Sequence, residues 1–213
     1  MKNILVIIPA YNEESTIGKI CKKLKDKGFD ILVLDDLSND NTANVAELNG
    51  AKVIINQTNI GYQSNLYKGL NIGIQKGYSK AITMDADGQH RIQDVQLIGK
   101  QLENYDLVLG TRDRFNRESE KYIGLISQRL YNIKDPLSGL KGYNLKSLKG
   151  FNFYGDDTIA TSVAIYLIEK GHKFIEVPIK ITDRKNGYSS LGEDVIETNY
   201  TFILKFLKNL SYS

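Results

Sequence analysis

The sequence predicts an α/β fold, a single domain built on a mostly parallel, twisted sheet with helices on both faces. Three observations carry that prediction. Short continuous apolar runs alternate with segments of helical periodicity through the first half of the chain. The apolar runs lack the in-out alternation of a half-exposed sheet, as expected of strands covered on both faces. Polar clusters stand at the ends of those runs, at Tyr11-Asn12-Glu13, Asp35-Asp36 and Asp85-Ala86-Asp87, and ligands of such sheets bind beyond the carboxyl ends of the strands.

The elements follow in order. Residues 4–8 form the first strand, ended by Pro9, and residues 15–27 a helix with Ile17, Ile20, Cys21 and Leu24 at helical spacing. Residues 31–34 and 52–55 are strands on either side of a short helix over 40–48. A helix over 63–76 carries Gly69 and Gly73 four apart, a spacing that marks close helix-on-sheet packing in a segment too polar for a membrane motif. Residues 80–84 make the fourth strand, 94–103 a helix and 106–109 the fifth strand.

Beyond residue 112 the pattern is less regular. The highly charged stretch 112–120 reads as a loop, 123–131 as a helix and 140–143 as a short strand. A helix over 158–170 precedes strands at 174–177 and 179–182 on either side of Pro178. A polar loop, 183–192, then leads to an amphipathic helix over about 193–210, with Val195, Ile196, Tyr200, Ile203, Leu204 and Leu207 on one side. The chain divides into a domain over 1–192 and a C-terminal helical segment over 193–213. Within the domain, residues 1–112 form the ligand-binding half and 113–192 the half facing a second substrate.

Composition narrows the function. A net charge of +3 over 213 residues, with no long basic block, gives no electrostatic footprint for nucleic acid. The single cysteine, Cys21, has no intramolecular disulfide partner and reads as a packed thiol. No apolar stretch approaches the roughly 20 residues of a bilayer span, and the first strand begins at once, leaving no room for a secretory leader. The expected location is the cytoplasm, extending to the inner face of the membrane.

The segment Met84 to His90 carries the most chemistry. Two carboxylates one residue apart, Asp85 and Asp87, follow an apolar run, and extended backbone would point both to one side past the small Ala86. Like charges so close resist joint ionisation unless a cation lies between them. Mg²⁺ or Mn²⁺ suits such a site, because hard ions take one or two carboxylates together with substrate phosphates. Acidic triplets also end strands and cap helices, so this one alone does not decide.

The ordered set of motifs decides more. Val6-Ile7-Ile8-Pro9-Ala10-Tyr11-Asn12-Glu13-Glu14 resembles the opening strand of family 2 glycosyltransferases, with closest similarity to the dolichol-phosphate mannosyltransferase and polyprenyl-phosphate sugar transferase group. Asp35-Asp36-Leu37-Ser38-Asn39-Asp40-Asn41-Thr42 resembles that family's Asp-Asp-Gly-Ser-x-Asp-x-Thr, and residues 59–77 its Asn-x-Gly helix. Asp85-Ala86-Asp87 matches its Asp-x-Asp, and Gly110-Thr111-Arg112 its Gly-Ser-Arg. Asp135-Pro136-Leu137-Ser138-Gly139 resembles its Asp-x-x-Ser-Gly, and Glu176-Val177-Pro178 its late Glu-Val-Pro strand.

The resemblance implies a GT-A fold, Rossmann-like in its nucleotide-binding sheet, with a nucleotide-diphosphate sugar as donor and inversion at the anomeric carbon. It implies a polyprenyl-phosphate or glycan acceptor and a divalent metal, Mg²⁺ or Mn²⁺, on Asp85 and Asp87. Pro9, Tyr11, Glu13, Asp35 and Asp36 would line base and ribose. Asp85, Ala86, Asp87 and Gln89 would meet the diphosphate and sugar, with Arg112 and Arg184 adding positive charge. The chemistry agrees: Tyr11 offers a ring to stack on, carboxylates accept from ribose hydroxyls, and a guanidinium suits phosphate.

Three departures from the family pattern stand out. Leu37 replaces a Gly, Arg91 replaces a Pro, and Ser190 replaces a Lys in the loop that holds Arg184. For an acceptor hydroxyl Asp157 is the candidate general base, with Asp156 second, although N-capping the helix at 158 is the plainer role for one of them. A phosphate acceptor is already anionic and needs no base. Asp135 before Pro136 favours a turn, and His90 divides evenly between a site role and a structural one. The last helix reads first as packing on the domain, with peripheral membrane contact or a homodimer as alternatives.

Two other functions compete with sugar transfer. A nucleotidyltransferase would carry a basic, Gly-rich loop after the first strand, where this chain has Pro9 to Glu13. A catalytically weak nucleotide-sugar binding protein fits the lost Lys at position 190. A dinucleotide-dependent oxidoreductase is disfavoured, since no Gly-x-Gly-x-x-Gly follows the first strand.

Overall fold

In a computed structural model of the chain, residues 3–115, 118–153 and 161–182 are described. Seven strands form one sheet in the order β3-β2-β1-β4-β6-β5-β7. The parallel half comprises β1 (Ile4–Ala10), β2 (Asp30–Asp35), β3 (Lys52–Ile55) and β4 (Lys80–Thr83). Helices α1 (Glu14–Asp26), α2 (Thr42–Leu48) and α3 (Gly61–Gln75) join them. After α4 (Ile92–Gln101) come β5 (Leu107–Arg112), α5 (Glu118–Tyr131), β6 (Lys141–Asn144), a short 3-10 turn, α6 (Ser162–Glu169) and β7 (Phe174–Ile179).

Strand β1 shows why the sheet is covered on both sides. Its residues alternate between two cores: Ile4, Val6 and Ile8 pack with Ile17, Cys21 and Leu24 of α1 and Val95 and Ile98 of α4. Leu5 and Ile7 pack with Tyr67 and Leu70 of α3 and with Val163 and Leu167 of α6. The period-2 alternation of a strand therefore reads as an unbroken apolar run, since both faces are buried. Gly69 is the close approach the sequence implied: a Cβ there would collide with Ile7. Cys21 is buried in the first of these cores, and burial pushes its thiol up to about 12.

Both prolines expected to bound strands lie inside them. Pro9 pairs with Leu34 within β1. Alternate residues of a parallel strand bond to opposite neighbours, and Ala10 bonds toward β2 through Asp36. The missing N–H of Pro9 thus faces β4, whose last pair is Ile7 with Thr83, so no ladder bond is lost. Pro178 sits in β7, which is an edge strand, where a missing donor is tolerated.

Three further features differ from the sequence reading. Helix α5 begins at Glu118, inside the stretch read as a loop, because Glu118 and Lys121 are charged residues at helical spacing and form an ion pair (2.8 Å). Strand β6 is antiparallel and inserted between β4 and β5. Residues 179–182 do not form a separate strand; β7 ends at Ile179 and Ile181 makes an isolated bridge to His90. Among the described residues, no helix is long and apolar enough to cross a membrane. Asp156, Asp157, Arg184 and the last helix lie outside the described residues.

Candidate functional site

The carboxyl ends of β1, β2 and β4 are neighbours, so the three polar clusters meet along one rim. Tyr11 leaves β1 with its ring 45% exposed, available to stack on a flat ligand. The turn after β1 is laced to the turn after β2. The Asn12 N–H donates to Ser38 Oγ (2.9 Å), and the Asn39 N–H donates to Asn12 Oδ1 (2.8 Å). The Glu13 N–H donates to Thr42 Oγ1 (2.7 Å), and Glu13 Oε2 accepts from Thr16 (2.9 Å). Pro9 is buried within β1, behind this rim rather than on it.

The two acids that end β2 have separate tasks. Asp35 is buried, and its Oδ1 accepts from the Ser38 N–H (3.0 Å) and hydroxyl, shaping the turn. Asp36 Oδ1 accepts from the Ile60 N–H (2.8 Å) and Asn56 Nδ2 (2.8 Å), while Oδ2 accepts from the Gly61 N–H (2.9 Å). Asp36 therefore caps α3 at its positive end, a favoured place for an anion. Burial raises its pKa, but those hydrogen bonds outweigh it and hold the carboxyl below its ordinary value. Both oxygens of Asp36 accept hydrogen bonds from the protein, which fixes its orientation on the rim.

Asp85 is framed on three sides. Tyr62 O–H donates to its Oδ1 (2.7 Å), and His90 Nε2 lies 3.2 Å from its Oδ2. Behind it, a Cβ at Gly139 would collide with the carboxylate, so any side chain there would push Asp85 out of this position. Burial opposes its ionisation, yet His90, Tyr62 and the charge of Arg112 together keep the Asp85 pKa below the usual value. Asp87 accepts the Gln89 N–H on Oδ1 (2.9 Å), closing the turn. Ala86 is buried between them, its carbonyl accepting from Thr16 Oγ1 (2.7 Å), which pins the loop to α1.

The loop is also tied to the chain after β7. Gln89 Nε2 donates to the Thr182 carbonyl (3.2 Å), the Thr182 N–H donates to the Gln89 carbonyl (3.1 Å), and Thr182 Oγ1 donates to the Gly88 carbonyl (3.1 Å). This amide of Gln89 thus orients the loop.

Arg112 stands in a different environment. Its Nε donates to Asp135 Oδ2 (2.7 Å), its Nη2 to Asp135 Oδ1 (2.8 Å) and its Nη1 to Glu120 (3.2 Å). Such a two-pronged pair is strong and directional. Burial lowers the Arg112 pKa less than these carboxylates raise it. Glu176 joins the cluster by accepting the Lys134 N–H (2.7 Å) and the Asp135 N–H (3.3 Å). The motifs around Arg112, Asp135 and Glu176 thus lock β5, β7 and the loop before β6 together.

Sequence reasoning gave no role to Tyr62 or to Lys141. Lys141 is 1% exposed on β6, and burial pulls its ammonium down to about 8 against the nearby charges of Asp135 and Asp85. Its signal was present: a lysine inside a short strand between a Ser-Gly turn and buried Tyr143. Tyr62 carried no such signal, because only the fold brings the first turn of α3 to β4.

The donor set at Asp85 and Asp87 fits a hard divalent ion. It offers oxygen only, and Asp85 is held ionised. Among the described residues, no three His, Cys, Asp or Glu side chains converge on one point.

Comparison with known proteins identifies the family. Residues 5–162 match the model of glycosyl transferase family 2. The chain is 32% identical over 224 residues to an uncharacterized protein of Methanocaldococcus jannaschii, covering 96% of this chain and 90% of the relative. It is 27% identical over 222 residues to the undecaprenyl-phosphate mannosyltransferase of Micrococcus luteus, covering 91% of this chain and 89% of that protein. Among solved structures, glucosyl-3-phosphoglycerate synthase of Mycobacterium tuberculosis, crystallised with Mn²⁺, uridine diphosphate and glucosyl-3-phosphoglycerate, superposes with a TM-score of 0.77. That likeness, at 18% identity over 97% of this chain and 79% of the other, establishes the GT-A fold. With the rim geometry and the family match in agreement, the chain is a glycosyltransferase and belongs to glycosyl transferase family 2.

Proposed function

We propose that this protein transfers a sugar from a nucleoside-diphosphate donor to a polyprenyl phosphate, with inversion at the anomeric carbon and with a divalent ion on Asp85 and Asp87. One observation carries the reading: Asp85 is framed by Tyr62 and His90, two positions before Asp87, on the sheet rim that also carries the exposed Tyr11. The named relatives support the acceptor class, since the Micrococcus luteus protein is an undecaprenyl-phosphate mannosyltransferase.

Tyr11 stacks on the base, and the two laced turns after β1 and β2 shape the ribose pocket. Asp85 and Asp87 hold Mg²⁺ or Mn²⁺, which when bound supplies Lewis-acid neutralisation of the diphosphate. Tyr62 and His90 fix the orientation of Asp85 before substrate arrives, so little rearrangement is needed at the moment of reaction. A phosphate oxygen of the acceptor bonds to the anomeric carbon from the face opposite the leaving group. The bond from that carbon to the diphosphate oxygen breaks, and its electron pair leaves with the nucleoside diphosphate. The attacking oxygen is already anionic, so no proton needs to be removed.

The test is product formation. Incubated with Mn²⁺, undecaprenyl phosphate and a panel of labelled UDP-, GDP- and CDP-sugars, the protein is expected to give labelled lipid from one donor class. Asp87→Ala is expected to abolish it. Transfer that survives Asp87→Ala, or no transfer from any donor, would overturn the reading.

A further inference from the structure

Leu37 is placed where the fold gives it no reason to be leucine. Its φ is 64°, in the left-handed region, where a side chain with a Cβ is disfavoured and glycine is at ease. The family pattern has glycine at this position. Its side chain is 43% exposed and belongs to neither core. A strained backbone carrying an exposed apolar side chain gains nothing from the protein alone, and such strain gathers at ligand sites.

The surroundings say what covers it. Leu37 follows Asp36, whose N–H donates to the Ala10 carbonyl (2.9 Å), so Leu37 stands beside the turn that bears Tyr11. The bonds between Asn12, Ser38 and Asn39 hold the two turns together. On the other side lies Ile60, also exposed, whose N–H is fixed by Asp36. Tyr11, Leu37 and Ile60 are thus three exposed apolar groups on one rim, with the Ile60 N–H and the neighbours of Tyr11 and Leu37 fixed by hydrogen bonds. The acids meant for phosphate, Asp85 and Asp87, follow a different strand, β4.

We propose that Leu37 is a specificity-determining contact that covers the nucleobase of the donor, facing the Tyr11 ring, and that base binding compensates the backbone strain. The proposal rests on the nucleotide-sugar reading above. It concerns the base and ribose only, not the diphosphate.

The test separates stability from binding. UDP, GDP, CDP and inorganic pyrophosphate are each titrated with Mn²⁺ by calorimetry into wild type, Leu37→Gly and Leu37→Met, alongside thermal unfolding. Leu37→Gly is expected to raise Tm by about 2–4 °C, because the strain is relieved. The same variant is expected to bind the preferred nucleotide about tenfold more weakly, with pyrophosphate binding unchanged. Leu37→Met is expected to keep nucleotide affinity within about twofold, since the apolar volume is retained. Equal nucleotide affinity in Leu37→Gly and wild type would overturn the proposal, as would a parallel loss for pyrophosphate. Wild type that binds none of the nucleotides would instead remove the nucleotide-sugar reading, and this inference with it.

Discussion

The two halves of the sheet treat their carboxylates in opposite ways. At the ends of β2 and β4, Asp35 and Asp36 are held by neutral N–H, hydroxyl and amide donors, and Asp85 by Tyr62 and His90. Around β5 and β7, Asp135 and Glu120 are paired with the fixed positive charge of Arg112. Asp35 and Asp36 are oriented by uncharged donors, and Asp85 is bonded by Tyr62 and His90 while also feeling the charge of Arg112, whereas Asp135 is gripped directly by the guanidinium. The first half therefore offers a carboxylate-lined rim suited to a cation, and the second an ion-paired cluster that ties the scaffold together. Identical residue types do different work because their partners differ.

Breaking that cluster should give the largest effect on folding. Arg112→Met removes the two-pronged partner of Asp135, whose side chain is 1% exposed, and is expected to cost about 3–5 kcal/mol in urea unfolding. Nucleotide binding by the protein that remains folded should be nearly unchanged. A stable Arg112→Met variant with lost donor binding would erase the contrast between the halves.

Asp36→Ala probes the other side with a smaller cost. It removes the cap of α3 and the acceptor for Asn56 and the Ile60 and Gly61 N–H groups. A loss of about 1–2 kcal/mol is expected, read by the same unfolding. Restoration of most of it by Asp36→Asn would identify the cap as the main term.

The smallest effect lies in the pH dependence of stability, where Lys141 joins the halves. Its folded pKa is about 8 against an ordinary 10.5, so between those values the unfolded chain holds more protons and stability rises with pH. The Cys21 thiol acts in the opposite sense above its ordinary 9.0, since its folded value is about 12. From pH 8 to 9 the Lys141 contribution should therefore dominate, giving a rise of no more than about 1.4 kcal/mol. Lys141→Met should flatten that slope, and a slope unchanged in the variant would show that another group produces it.

The regular half of the molecule was legible in the sequence because each strand reported its own burial. Ile4 to Ile8 and Ile31 to Leu34 are apolar throughout since both faces of the sheet are covered. The close packing at Gly69 was legible for a similar reason, a local spacing with a local consequence. The placement of β6 was not, because Leu140 to Tyr143 carries no mark of which strands it will separate. Nor was the start of α5, whose charges suit a solvated helix and a loop equally. At the site, the acids were visible as motifs, but their partners were not. Asp36 was visible as a motif acid, but not that α3 begins on it, and Tyr62 meets Asp85 only through the fold.

Mn²⁺ binding followed by electron paramagnetic resonance tests the central claim most directly. Wild-type protein with a nucleoside diphosphate is expected to take up Mn²⁺ more tightly than without it, while Asp87→Ala loses that gain and remains folded. Equal Mn²⁺ uptake by Asp87→Ala and wild type, with the nucleotide present in both, would contradict the assignment of this rim as the seat of the cation.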